Sequence, residues 1–143
     1  MKSKILVFLQ FFIIFLMILP LGMPTTFFYE GLGVMVVGGF IGLLAIKEHG
    51  SGNFNIRPDI KEGCSLITTG IYAYVRHPMY LSVLLIMFGF VLLYPLYYEI
   101  VLYLFLITVI VSKMLYEERL WSCHDEKYLE YKRRVKRLIP FLF

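Results

Sequence analysis

Charge is scarce in this sequence. Asp, Glu, Lys and Arg make up 17% of its 143 residues, against 59% hydrophobic residues, and the mean hydropathy is +0.76. A soluble domain is nearer a quarter charged and half apolar, so the surplus needs a non-aqueous home. Little charge beside 17% aromatic residues excludes disorder. Cysteine is scarce too: Cys64 and Cys123 are too few and too far apart for a disulfide framework. The lack of a glycine-rich phosphate loop argues against nucleotide hydrolysis. Three scattered histidines and two cysteines give no metal-ligand spacing, so no metal is expected. No serine or cysteine has a neighbouring base with an orienting acid, which argues against acyl transfer through a nucleophile. There is no internal repeat and no low-complexity tract, and the length suits one domain over 1–143. The net charge of +4 is small and uneven, which points to membrane topology and not to nucleic acid.

What is present is apolar and long. Four stretches, about 5–23, 27–46, 79–96 and 97–115, each approach the roughly 20 residues a helix needs to cross ~30 Å of hydrocarbon. No alternating barrel strands appear, so the expected fold is all-α, an integral membrane protein of about four transmembrane helices. Only Gln10 and Pro20 break the first stretch; it is long for a signal peptide and no small-residue cleavage site follows, so retention is expected. All 14 basic residues lie in the N-terminus, the 47–78 link, the end of the fourth stretch and the tail. The other two links carry only Glu30 and Glu99. The positive-inside rule then puts both termini and the 47–78 link in the cytoplasm, in a bacterium beneath the inner membrane. Tyr94, Tyr97, Tyr98 and Tyr103 suit an outer aromatic belt. The tail over 116–140 reads as a basic amphipathic helix against anionic lipid headgroups.

Two clusters could carry chemistry. Arg76-His77-Pro78 opens the third stretch, which also suits a helix start and an interface anchor. Glu117-Glu118 closes the fourth, where acids at a helix C-terminus would oppose the macrodipole. His77 lies 20 residues before the turn at Tyr97 and Glu117 lies 20 after it. At ~1.5 Å per residue both return to one depth at the cytoplasmic face. Ionisable groups there are expensive unless they face a polar cavity. Lys113 lies one helical turn from Glu117 on the same face. An acid for ribose hydroxyls, basic groups for a carboxylate, and Tyr72, Tyr74 and Tyr80 for an adenine are the parts of a site for a nucleoside with an amino-acid tail.

The run from Leu66 to Leu81, with Gly70-Ile71-Tyr72 and Arg76-His77-Pro78-Met79-Tyr80, resembles the signature of the isoprenylcysteine carboxyl methyltransferase family. So does the Glu117-Glu118 pair after an apolar hairpin, followed by Tyr128-x-x-Tyr131 and Val135-x-Arg137-x-Ile139-Pro140. The likeness covers about 54–140, and the Glu-Glu element is shared with phospholipid N-methyltransferases. It implies S-adenosylmethionine held over about 54–80 and by the tail. Carried over by position, the cofactor contacts are Cys64, Ser65, Leu66, Ile67, Tyr72, His77, Pro78, Met79, Tyr80 and Glu117. Lys113 stands where eukaryotic members have an arginine for the substrate carboxylate, a point charge in place of a planar fork. Ser82 replaces a usual glycine and His124-Asp125 a usual Phe-Gly, which leaves the acceptor more open than the cofactor.

The reaction implied is methyl transfer to a lipophilic acceptor from the bilayer. A carboxylate acceptor, as on an isoprenylcysteine, needs orientation by Lys113 or Arg76 and no base. An amine acceptor, on a phospholipid or small amine, needs a proton acceptor such as Glu118 or His77. A non-enzymatic four-helix scaffold or lipid-binding module is the alternative of another class. These residues set no oligomeric state.

Overall fold

The computed structural model describes residues 2–19, 27–53 and 66–139. They form five α-helices and one short 3-10 turn: α1 (Lys2–Ile18), α2 (Phe28–Asn53), the turn Gly70–Ala73, α3 (Pro78–Leu93), α4 (Tyr97–His124) and α5 (Glu126–Arg134). Two of the described helices are long and apolar enough to cross a membrane, α2 over Phe28–Glu48 and α4. With 16 residues, α3 is apolar but shorter.

Helix boundaries follow local chemistry. Pro78 begins α3, where its missing N–H is harmless and its φ is already helical. Pro95 ends it by forcing Tyr94 out of the helical region, to φ −132° and ψ 75°. Leu96 is extended, and α4 starts at once, so the hairpin turn is very tight. Here the structure corrects one reading. α4 does not stop near Leu115 but runs nine residues further, to His124. No glycine or proline interrupts 116–124, so Glu117 and Glu118 lie inside a helix and oppose no helix terminus. Asp125 then separates α4 from α5 and caps the latter, accepting a hydrogen bond from Lys127 N at 2.9 Å.

The core joins α1, α3 and α4. Ile13 and Met17 of α1 meet Leu84, Met87 and Val91 of α3 and Leu106, Ile110 and Met114 of α4. Outward faces stay apolar, with Phe8 67% and Phe40 61% exposed. Helices apolar on every side suit lipid and would be an aggregation liability in water.

The α2–α3 pair packs through glycine. A Cβ added to Gly89 would stand 2.6 Å from the Gly31 carbonyl oxygen and 2.3 Å from Met35 Cγ. Small residues let membrane helices approach this closely, where packing drives association. Gly89→Ala should therefore lower stability in detergent by ~1–3 kcal/mol, the usual cost of overpacking. Gly39→Ala, whose added methyl meets nothing within 4 Å, is the matched control and should not lose stability. Equal unfolding midpoints for both variants would contradict this packing.

Candidate functional site

The site is built where the segment 66–77 meets α4 and the chain's end. Gly70 has φ +56°, and a Cβ there would collide with the Glu48 carboxylate of α2. Glu48 Oε2 accepts a hydrogen bond from Thr69 Oγ1 at 3.1 Å, tying this turn to α2. Tyr72 follows, buried, and its carbonyl accepts from Tyr131 Oη at 2.6 Å. Burial raises the Tyr131 phenol above its usual range, so it stays a neutral donor. Val75 then forms a parallel bridge with Lys136. In that register Arg76 N donates to Lys136 O at 2.9 Å and His77 N to Arg137 O at 3.0 Å. The tail therefore completes the site from the side.

Glu118 is the centre of charge. Its carboxylate lies 3.2 Å from Arg76 Nη2, 3.4 Å from His77 Nε2 and 3.5 Å from Lys132 Nζ. Arg137 grips it with two donors, Nε at 3.0 Å and Nη2 at 3.1 Å. A buried carboxylate is costly unless paired, and here both of its oxygens face cations or donors. So saturated a carboxylate does not suit a proton acceptor, the role that amine chemistry would ask of it. Arg76 is also spoken for through Nη2, while its Nε and Nη1, and Tyr128 Oη, are buried without a hydrogen-bond partner among the described residues. Buried donors of that kind ask for an acceptor.

Glu117 has a different situation. Its Oε2 accepts from Tyr80 Oη at 2.9 Å and lies 4.0 Å from His77 Nδ1, yet the side chain remains 28% exposed. His77 stacks on Tyr80, with centroids 5.4 Å apart. Lys113 Nζ sits 5.2 Å from the centroid of the same ring, and the residue is 1% exposed. Its ammonium also donates to Gln10 Oε1 of α1. The structure thus brings together Arg76, His77, Tyr80, Lys113, Glu117 and Glu118. Pro78 and Met79 open α3 beside them. Leu66 packs instead with Trp121, Tyr128, Tyr131 and Val135. There it lines a half-open cleft of about 760 Å³ with Trp121, His124, Tyr131 and Arg134. Ile67, next in the chain, lies half-buried. Cys64 and Ser65 lie outside the described residues.

Sequence reasoning missed Gln10, Glu48 and Lys132, and saw Arg137 only as part of a tail pattern. A signal existed for Gln10: it is the single polar side chain between Ile5 and Ile18. For Arg137 the signal was its place in the Val135-x-Arg137-x-Ile139-Pro140 pattern, and none existed for Lys132 among so many basic tail residues.

Residues 31–129 match the family described as isoprenylcysteine carboxyl methyltransferase. The chain belongs to that family. Membership makes it a membrane methyltransferase, of a kind that generally uses S-adenosylmethionine. No curated protein matches the chain. The matched stretch contains every residue of the cluster from Arg76 to Glu118, whereas Gln10, Lys132 and Arg137 lie beyond it.

Proposed function

We propose that this methyltransferase esterifies the carboxylate of a lipophilic, isoprenylcysteine-type acceptor at the cytoplasmic face of a four-helix membrane domain. The observation that carries the reading is the buried Lys113 ammonium, one turn along α4 from Glu117 and against the Tyr80 ring. A cation at membrane depth is expensive and marks a functional place; with the Glu117 carboxylate already acting on it, an anionic acceptor would be its further partner. The short α1 and α3 complete the four spans. The placement of all 14 basic residues supports cytoplasmic termini.

The residues present fit S-adenosylmethionine. Glu117 keeps part of its carboxylate open for ribose hydroxyls. Arg76 Nε and Nη1 are donors suited to a carboxylate tail. Tyr72 and the stacked His77 and Tyr80 rings, the latter bonded to Glu117, offer aromatic cover for a purine. The cofactor, when bound, supplies a methyl group on a cationic sulfur that leaves readily. The chain's own work is to position. Lys113 holds the acceptor carboxylate, and the apolar walls of α3 and α4 keep water out. Orientation of this kind is worth up to ~7–11 kcal/mol. A carboxylate needs no base, which agrees with a site whose most buried acid is locked in ion pairs.

The test supplies methyl-labelled S-adenosylmethionine and farnesylated N-acetylcysteine to membranes containing the protein. Label should enter the acceptor as an alkali-labile ester. Alkali-stable label on an aminophospholipid would replace this reading with N-methylation. Lys113→Met should raise the acceptor KM about fivefold to tenfold and leave cofactor affinity within about twofold, as loss of one charge-assisted contact requires. Collapse of cofactor affinity with unchanged acceptor kinetics would move Lys113 to the cofactor.

A further inference from the structure

Gln10 stands on the face of α1 that also carries Ser3, Ile13 and Met17, all buried. That spacing is one helical stripe, and it packs on Leu106, Ile110 and Met114 of α4. Apolar contact alone would bind the two helices, so a 6% exposed amide in this stripe calls for a reason. Its Oε1 meets Lys113 Nζ. A lysine ends in a compact ammonium on a flexible four-carbon stem and needs a fixed acceptor to hold one place. An amide oxygen and an aromatic face steady the ammonium and add no negative charge to that of the Glu117 carboxylate, which already acts on Lys113 electrostatically.

We propose that Gln10 is a positioning residue for the acceptor site: it fixes the Lys113 ammonium beside Tyr80 and so gives the site a preference for acceptors with an anionic oxygen group. This rests on the reading of Lys113 given above. It makes α1, which lies outside the family match, part of the specificity apparatus.

The experiment measures binding of farnesylated N-acetylcysteine and of its methyl ester to the purified full chain in detergent, by ligand-induced thermal stabilisation, with no turnover needed. The unaltered protein should favour the free acid. Gln10→Leu should weaken acid affinity about fivefold to tenfold, the scale of a hydrogen bond to a charged group, and barely change ester affinity. In a Lys113→Met background, Gln10→Leu should have no further effect on acid binding, because Gln10 acts through Lys113. Gln10→Asn should recover part of the loss. An equal loss from Gln10→Leu with and without Lys113 would mark a merely structural amide and overturn the inference. Equal affinity for acid and ester in the unaltered protein, or no binding of the acid, would overturn it too. Acid-selective binding that depends on both residues, in a protein that transfers no methyl, would overturn the proposed reaction and leave this assignment standing. Methyl transfer without coupling between the two residues would do the reverse.

Discussion

Glu118→Ala is expected to destabilise the protein by about 3–5 kcal/mol, the range for removing one partner from a buried ion pair. The reason is Arg76. Its side chain is 6% exposed and cannot recover water when the carboxylate is gone. Arg137 and Lys132 are exposed enough to rehydrate, so Arg137→Ala should cost distinctly less. Denaturant unfolding in mixed micelles at neutral pH reads both variants. A Glu118→Ala protein as stable as its parent at neutral pH would mean that the cluster contributes nothing.

Glu117→Ala is expected to weaken S-adenosylmethionine binding by ten- to a hundredfold while the fold persists. Losing a charge-assisted hydrogen bond costs about 1.5–3 kcal/mol, which spans one to two decades of affinity. The structural damage should be small, because Glu117 accepts one hydrogen bond, from Tyr80 Oη, among the described residues and is partly open. On the proposed reading the neighbouring acids divide the labour: Glu118 keeps the cluster together and Glu117 is left to meet the ligand. Calorimetry on the two variants should separate them. Unchanged cofactor affinity in a well-folded Glu117→Ala protein would remove Glu117 from the cofactor's contacts.

Much of this site can be read by counting along a hairpin. His77 and Glu117 are equidistant from the turn at Tyr97, and in the structure Nδ1 and Oε2 are 4.0 Å apart. Counting works there because α3 and α4 are rigid rods with a fixed rise, joined by a tight proline turn. It fails at Glu118. The partners Lys132 and Arg137 arrive through α5 and a single parallel bridge, Val75 to Lys136, and no local pattern encodes that register. It also fails at the end of α4. Hydropathy falls at Tyr116, whereas helical backbone bonding continues until Asp125. Gln10 was visible as an interruption in an apolar run, but its partner lies 103 residues away.

The pairing of the tail with the Arg76-His77 segment also makes folding of this end a matter of bringing distant segments together. Arg76 and His77 precede α3, Glu118 stands on α4 and Arg137 follows α5. The charge centre is therefore assembled from three distant parts of the chain. Until all three have met, Glu118 and Arg76 have an incomplete set of neighbours, at a place where unpaired charge is poorly tolerated. The segment after α5 is therefore the closing stitch of the cluster.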